Sequence, residues 1–462
     1  MYGAVAYLTN YYIDKGKFMD PEYWPFIIFA TSVALIVLLI IKLRLHPFIA
    51  LMLSAVSVGL LSKGEPVSAL ELPMKEFGSI AGSIAWVIAL AALIGTAMMK
   101  SGAAEKIVDW LLRSLGPARA SLALIFAGFI LSIPVFLDTV FFLLIPVGIA
   151  LAKRTGKDFV LYVIAISGGA SISHSLVPPT PGPLIMAETL QVDLGLTMLA
   201  GIAAAVVPIV TVLIIARRVN NKLIIPLPDA FDDAGRSENP PSIFLSVLPI
   251  IIPVAMISYA SIVNVLTANP PTWVAFVGNK NVAMSAGAAI ALALWARSHK
   301  LSSRSLWKSC AHPLEVAGVI ILITSAGGAY GAMLRHSGVG DAITNVTHGI
   351  EVNYILLAWG IAAFMKTAQG SSTVAMITGS AIMVALLGPN AELPYHPVYI
   401  LLATGFGAMV VSWMNDSGFW IVSRMTGFNE AQTLQTWSLT FASVGIVGLI
   451  QVLLFSWLLP LV

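Results

Sequence analysis

Charge and cysteine are the two things this sequence has little of. Only 10% of its 462 residues are charged, whereas a soluble protein carries roughly 25%. So low a charge content excludes an ordinary soluble protein, and the 58% share of hydrophobic residues predicts a polytopic membrane protein. The single cysteine, Cys310, excludes an internal disulfide and a metal site built from cysteines. A net charge of +3 gives no indication of nucleic-acid binding.

Further absences narrow the class of protein. Residues 1–22 are polar and aromatic, without the basic-then-apolar order of a signal peptide, so we expect no cleavable signal. The largest loop between apolar runs, residues 219–242, is too short for a soluble domain. No nucleophile–base spacing and no set of metal ligands stands out in the sequence. We therefore expect neither an enzyme nor a protein with a cofactor.

Long apolar runs make up most of the chain. Because roughly 20 apolar residues cross a bilayer as a helix, these runs predict an all-α fold with many membrane crossings. The uninterrupted crossings are predicted at residues 24–41, 47–61, 79–99, 196–216, 243–263, 282–296, 313–334 and 437–459.

Four other apolar segments have polar residues in their middle. Residues 157–191 and 396–424 are predicted as broken helices, since prolines or a polar run interrupt each of them. Residues 118–152 and 352–387 are too long for one helix and have a polar tip, which predicts two re-entrant hairpins. Residues 104–115 are amphipathic and are predicted to form a short interfacial helix.

The two halves of the sequence resemble each other. Residues 95–107 align without gaps on residues 331–343, and the polar interruptions recur in the second half at a similar spacing. An odd number of crossings in each half inverts the second half relative to the first. We therefore predict two inverted repeats, residues 24–218 and 243–460, joined by a cytoplasmic linker at 219–242. Each repeat is expected to contain about five crossings, one re-entrant hairpin and one broken helix.

Lysine and arginine are distributed as this topology requires. If the N-terminus lies outside, most of the 25 basic residues fall in cytoplasmic loops, as the positive-inside rule demands. Both termini are thus predicted to be periplasmic. Tryptophans such as Trp24 and Trp437 are expected to anchor the helices at the membrane interface.

The polar breaks and hairpin tips would converge near the middle of the membrane. Helices that begin there point unpaired N–H groups and a positive dipole end at the site, which suits a carboxylate. Short hydroxyl and amide side chains suit a hydroxylated solute. The predicted substrate-binding residues are Ser173, His174, Thr180, Lys366, Gly370, Ser371, Ser372, Thr373 and Asn415.

Three ionisable residues are candidates for carrying a coupling proton: Asp138, His174 and Asp416. An unperturbed imidazole titrates near pH ~6.5, and a desolvated carboxyl group is able to take up a proton near neutrality. A second explanation stays open, because charges at this depth are unfavourable unless paired. Either aspartate could simply be a structural partner of Lys366, and His174 could simply bond another helix.

Several motifs at these positions resemble those of one family. The run His174-Ser-Leu-Val-Pro-Pro-Thr-Pro-Gly-Pro183 resembles a signature of the gluconate permease (GntP) family, within the ion transporter superfamily. Two further segments, 369–375 and 415–437, contain Gln-Gly-Ser-Ser-Thr-Val-Ala and Asn-Asp-Ser-Gly-Phe-Trp and are similar to other motifs of that family. The resemblance implies proton-coupled uptake of gluconate or a related sugar acid across a bacterial inner membrane. Because superfamily relatives are often dimers, it also implies a homodimer.

Together, these observations predict a secondary active transporter whose partners are a small carboxylate, protons and the lipid bilayer. A sodium-coupled carboxylate symporter is one alternative, since hydroxyl, amide and helix-end carbonyl oxygens also cage sodium. A passive anion channel is an alternative of another class. It would need a continuous polar path, whereas the polar residues here cluster at two breaks.

Overall fold

The structure is a computed structural model, and all the secondary structure in the part of the chain that it describes is helical, as the sequence predicts. The described residues are 24–62, 66–134, 137–223, 225–227, 240–267, 270–339, 342, 353–388, 393–414 and 416–461.

The first half of the chain ends before the partly described linker. Its helices are α1 (Trp24–Val37), α2 (Pro47–Leu61), α3 (Pro66–Lys100), α4 (Ala103–Leu115), α5 (Ala120–Leu131), α6 (Leu137–Thr155), α7 (Phe159–Leu176), α8 (Pro181–Thr189), α9 (Leu194–Ala204) and α10 (Val206–Lys222).

The second half begins at Ser242, whose side chain accepts a hydrogen bond from Leu245 N–H and so caps the next helix. Its helices are α11 (Ile243–Leu266), α12 (Thr272–Val277), α13 (Lys280–Ser298), α14 (Ser303–Ser309), α15 (Ala311–His336), α16 (Tyr354–Gln369), α17 (Ser372–Leu387), α18 (Val398–Gly407), α19 (Ser417–Thr426), α20 (Glu430–Thr433) and α21 (Leu439–Leu458).

Several helical stretches are long and apolar enough to cross a membrane. Some differ from the predicted spans: α3 begins well before residue 79, and the predicted helix 196–216 is two helices that meet at Ala205. Among the described residues, the stretches that meet both criteria are Pro66–Lys100, Phe159–Thr189, Leu194–Lys222, Ile243–Asn264, Ser303–His336 and Glu430–Leu458.

Each of the two segments predicted as hairpins contains two successive helices: α5 and α6 in the first, and α16 and α17, joined by a short turn at Gly370 and Ser371, in the second. In the first pair, α5 has 12 residues, which corresponds to a length of about 18 Å at 1.5 Å per residue. In the second pair, α16 and α17 have 16 residues each, or about 24 Å. A bilayer core is about 30 Å thick, so each of these three helices is too short to cross it alone.

The two segments predicted as broken helices are interrupted in the structure. Between α7 and α8 the helix stops at Val177 and restarts at Pro181, where the fixed φ of proline suits a first helical turn. Between α18 and α19 the chain leaves the helical path after Gly407 and returns to it at Ser417.

Helix packing brings these interruptions together. α3 packs against α13 and α15, and α15 also packs against α2. A second group contains α7, packed against α5 and α10, and α18, packed against α16 and α21. α8 packs against α7 and α17 packs against α16, both in the second group. Because α8 and α17 also contact α15, they connect the two groups. Since α7 and α8 are almost wholly buried, the first break lies inside the protein.

The helix α4 has the two-faced character predicted for residues 104–115. Ile107, Val108 and Leu111 are buried against neighbouring helices, whereas Trp110 is exposed. Its position at a membrane interface stays a prediction.

Candidate functional site

A cavity of about 310 Å³ lies among the helix ends, and we call it the central cavity. Its apolar wall includes Val316 and Ile320 from α15. Seven lining residues carry hydroxyl, imidazole or carboxyl groups: Ser171, His174, Ser175, Ser371, Ser372, Thr373 and Asp416. The cavity therefore combines an apolar wall with hydrogen-bonding groups from both interrupted helices and from the turn between α16 and α17.

Local hydrogen bonds stabilise the first break. The single O–H of Thr180 is shared between the backbone oxygens of Val177, at 2.7 Å, and His174, at 3.1 Å. It thereby bonds carbonyl groups at the end of α7 that have no helical N–H partner beyond the prolines. Thr180 does not line the central cavity, so its hydroxyl supports the backbone of the break.

His174 connects the first broken helix to the second hairpin. Its Nε2 lies 3.3 Å from the Thr373 hydroxyl oxygen. Its Nδ1 is buried and has no hydrogen-bond partner among the described residues, and the same holds for the hydroxyls of Ser171 and Ser173. Of these three residues, His174 and Ser171 line the central cavity, whereas Ser173 does not. Unsatisfied buried polar atoms are rare in folded proteins, so His174 and Ser171, which line the cavity, are candidates for binding a polar ligand.

The N terminus of α17 forms the second polar wall. Ser371 precedes the helix, and its side chain accepts a hydrogen bond from Val374 N–H at 3.3 Å. The first N–H groups of a helix have no partners within the helix and carry a partial positive charge. Because Ser372 and Thr373 occupy this first turn and line the cavity, it is suited to an anion.

A buried ion pair supports the second break. The Lys366 ammonium lies 2.6 Å from Asp416 Oδ2 and also donates to the Gly370 carbonyl at 2.6 Å. Lys366 is only 1% exposed, and Asp416 is 8% exposed. Gly370 ends α16 with φ of +85°, a left-handed conformation that favours glycine. Burying either charge alone would be strongly unfavourable, so the two residues stabilise each other.

Further hydrogen bonds orient Asp416. Its Oδ1 accepts the Gly418 N–H at 2.9 Å, which caps α19, and its Oδ2 also accepts from the Ser412 hydroxyl. The Ser412 hydroxyl in turn accepts from the Trp437 indole N–H. The residue type of Trp437 suggests a membrane-interface anchor. In the structure Trp437 is instead a buried part of this network. A side chain at residue 418 would collide with its ring.

The predicted residues are thus divided by the structure. His174, Ser371, Ser372, Thr373 and Asp416 share the central cavity. The other described residues, Ser173, Thr180, Lys366 and Gly370, lie outside its lining.

The side chains of two predicted site residues are not placed relative to the central cavity. Asn415 lies outside the described residues, and so does the side chain of Asp138, whose backbone belongs to the first turn of α6. Leu137, next to Asp138, lines the central cavity.

Sequence reasoning missed some lining residues. Ser171 lies one helical turn before His174 and on the same face of α7, so helical spacing would have indicated it. Val316 and Ile320 come from a helix without a polar break, and no local signal marks them. Among the described residues, no cluster of three or more His, Cys, Asp or Glu side chains could hold a metal ion.

Two bacterial permeases have sequences similar to this chain over most of its length. An uncharacterized permease of Haemophilus influenzae is 31% identical over 452 residues, which cover 93% of this chain and 92% of that protein. A gluconate permease of Pseudomonas aeruginosa is 31% identical over 439 residues, which cover 92% and 96% of the two chains.

The fold is similar to that of the YdaH transporter of Alcanivorax borkumensis. The TM-score is 0.66 at 15% sequence identity, and the match covers 90% of this chain and all of that one. A sequence model described as GntP family permease matches residues 24–458, nearly the whole chain. This chain therefore belongs to the GntP family of permeases, which are membrane transporters and not enzymes.

Proposed function

We propose that this permease takes up gluconate or a related hydroxylated monocarboxylate together with one proton per anion. The observation that carries the proposal is that an anion-binding helix terminus and a carboxylate border the same cavity. The first turn of α17 provides the helix terminus, and Asp416 provides the carboxylate. The name of the gluconate permease of Pseudomonas aeruginosa supports the substrate class.

The substrate carboxylate would lie against the first turn of α17, close to the N–H groups of Ser372 and Thr373. Its hydroxyl groups would then be met by the side chains of Ser171, His174 and Ser175, which line the same cavity. An unpaired hydroxyl in the protein disfavours a ligand that lacks the matching group, because the lost hydrogen bond is not compensated. The site is therefore expected to select hydroxylated acids over simple fatty acids.

Coupling follows from the charges at the site. Lys366 and Asp416 neutralise each other. A substrate anion beside Asp416 would add an uncompensated negative charge in a poorly solvated space, and like charges so close together disfavour joint ionisation. Protonation of Asp416 removes this repulsion, and the Lys366 ammonium then balances the substrate. Anion binding thus favours uptake of one proton.

His174 and Asp138 remain candidates for a second role in proton transfer. His174 borders the cavity and bonds Thr373 at the anion site, so its protonation state would affect the same ligand. Asp138 is proposed from its place in the sequence, two residues before the apolar run of α6. Asn415, which precedes Asp416, is proposed as a further ligand for substrate hydroxyls.

We also infer the membrane arrangement. Residues 24–218 and 243–460 would be inverted repeats joined by the cytoplasmic linker 219–242, with α5–α6 and α16–α17 as re-entrant hairpins. A pair of successive helices and an interrupted helix in each half support this arrangement. Its relatives are bacterial, so the inner membrane is the proposed location, with both termini in the periplasm. Assembly as a homodimer stays a prediction from the family resemblance.

The deciding experiment is uptake by proteoliposomes over a panel of sugar acids, with pH and sodium gradients imposed separately. Accumulation of gluconate or a related acid should follow an inwardly directed proton gradient in the absence of sodium. Accumulation that requires sodium and ignores the pH gradient would contradict proton coupling. Equilibration without accumulation under either gradient would indicate a passive channel.

Asp416→Asn tests the proposed proton carrier. Asparagine keeps an oxygen for the Gly418 N–H but takes up no proton. Accumulation driven by the pH gradient should be lost, whereas counterflow exchange of substrate should persist. Glu71→Gln, which removes an exposed carboxylate on α3, is the matched control and should behave as wild type. Gradient-driven accumulation by Asp416→Asn would show that another group carries the proton.

A further inference from the structure

A second cavity lies at the other end of α15 and has no part in the site described above. Its volume is about 620 Å³, and its walls come from α3, α15 and the ends of α8 and α17. We call it the Arg335 cavity, after the cation near the end of α15 that lines it. Volumes of a few hundred Å³ are typical of sites for small organic ligands.

The charges that line the Arg335 cavity leave one cation favourably placed for an external anion. Of its two described carboxylates, Glu188 is held by Lys280 at 2.6 Å, and Glu76 contacts His336 at 3.5 Å. Arg335 is exposed to the cavity and close enough to Glu76 for an electrostatic interaction. Lys280 thus neutralises Glu188, whereas Glu76 lies between His336 and Arg335 and competes only partly for the guanidinium.

Uncharged polar groups surround the same space. Ser79 and Ser83 lie three and seven residues after Glu76, so all three share one face of α3. Thr189 and Gln191 add a hydroxyl and an amide from the end of α8. This combination of a guanidinium with hydroxyl and amide groups matches a carboxylate attached to a hydroxylated carbon chain.

The helices connect this cavity to the central one. α17 begins at the central cavity with Ser372, and Val384 and Ala385 near its other end line the Arg335 cavity. The helix has 16 residues, so the two cavities are separated by about 20 Å along its axis. α15 also borders both of them, through Ile320 and Arg335.

We propose that the Arg335 cavity is a separate capture site, at which Arg335 binds the carboxylate of the hydroxy acid before it reaches the central cavity. The inference rests on the proposed transport of hydroxylated monocarboxylates. A guanidinium offers two parallel N–H donors to a carboxylate. A cavity with low-dielectric walls also focuses its field and raises the local concentration of the anion. Capture thus increases the rate of loading at low substrate concentration.

The test measures initial rates of gluconate uptake by proteoliposomes at a fixed proton gradient. Arg335→Gln should raise the apparent KM by about threefold to fivefold, the range expected of a partly solvated ion contact, with the maximal rate unchanged. Arg335→Lys should restore most of the affinity, since it keeps the charge. Because salt screens exposed charges, wild type and Arg335→Gln should converge at high ionic strength.

Glu76→Gln distinguishes capture from general damage to the cavity. Removing this carboxylate takes away the negative charge that competes for Arg335, so the apparent KM should fall by about twofold. Arg304→Gln removes an exposed cation at the opposite end of the long α14–α15 stretch and should leave the kinetics unchanged.

The outcomes separate this inference from the proposed function. No gluconate accumulation by the wild type would contradict the proposed function itself. Normal transport by the wild type, together with an unchanged KM in Arg335→Gln, would overturn the capture site alone. A raised KM in both Arg335→Gln and Glu76→Gln, or a loss of maximal rate without a change in KM, would also overturn it.

Discussion

At the break between α7 and α8, proline residues interrupt the helix and a threonine hydroxyl bonds the exposed carbonyl groups. At the break between α18 and α19, the ion pair of Lys366 and Asp416 stabilises the interrupted chain instead. Among the described residues, the first break has no Asp, Glu, Lys or Arg, and the hydroxyls of Ser171 and Ser173 and Nδ1 of His174 have no hydrogen-bond partner. The second is charged, and most of its polar atoms already have partners. From this comparison we propose that the two breaks have different roles: the first recognises hydroxyl groups of the substrate, and the second balances its charge.

The largest effect that would test this difference between the two breaks is expected at Lys366. Lys366→Gln removes the ammonium that balances a bound carboxylate, so affinity for the acid should fall by about 10-fold to 100-fold. The variant also leaves Asp416 buried without its cation, which lowers stability. Equilibrium dialysis of the detergent-purified protein measures affinity, and thermal melting measures stability.

A double variant separates the two consequences. Lys366→Gln combined with Asp416→Asn removes both charges, so it should recover stability but not affinity. Lys366→Arg keeps the charge and should retain binding. If Lys366→Gln binds the acid as wild type does and only its stability falls, Lys366 is a structural partner and the second break has no role in charge balance.

A smaller effect is expected at Thr180, in the first break. Thr180→Val keeps the shape of the side chain but removes the donor to two carbonyl groups, so the free energy of unfolding should fall by about 1 kcal/mol. Affinity for the acid should change by less than about twofold, because the hydroxyl does not line the cavity. Thr180→Ser, which keeps the donor, is the control. A tenfold loss of affinity in Thr180→Val would make Thr180 a substrate ligand, as its sequence position alone suggests.

The smallest effect concerns the pH dependence of the fold, away from the cavity. His396 lies just before α18, and its Nδ1 accepts a hydrogen bond from Val398 N–H at 3.2 Å. Burial lowers the pKa of His396, and the negative charge of Asp193 partly opposes that shift. The folded state therefore favours the neutral imidazole. Its contribution to stability is present above the ordinary pKa, near ~6.5, and is lost as the pH falls below it.

Melting measurements at two pH values test this sign. Between pH ~7.5 and ~5.5 the Tm of the wild type should fall through this group, because the folded state disfavours the protonated imidazole. His396→Asn keeps an acceptor for the Val398 N–H without a titration, so its Tm should change less over the same range. An equal change in both proteins would show that His396 does not contribute. This control also separates pH effects on the fold from those on transport.

Much of this architecture could be predicted because its signals are local in the sequence. The prolines between Val177 and Pro183 remove backbone donors wherever they occur, so a broken helix follows from the sequence alone. The polar tip around Gly370 interrupts an apolar run in the same way. Length and hydropathy were sufficient for the all-helical class and for several helices that are long and apolar enough to cross a membrane.

The contacts between distant segments could not be predicted in the same way. Lys366 and Asp416 are 50 residues apart, and their pairing depends on how α16 and α19 are placed. The sequence therefore left Asp138 and Asp416 as equal candidates. Trp437 was misassigned because tryptophan is common at membrane interfaces, whereas its partner Ser412 lies 25 residues away. Thr180 was expected to bind substrate because its hydroxyl is polar, and only the structure gives that hydroxyl a backbone partner.

One helix, α15, borders both cavities, and this has a consequence for how transport properties vary among natural or engineered variants. Ile320 and Arg335 are separated along it by about 22 Å. Substitutions more than about 10 Å apart generally act independently. Changes at the first position should alter which acids fit the central cavity, and changes at the second should alter how readily dilute acids are taken up. The preference for a substrate and the concentration at which it is collected are then separately adjustable properties of the same helix.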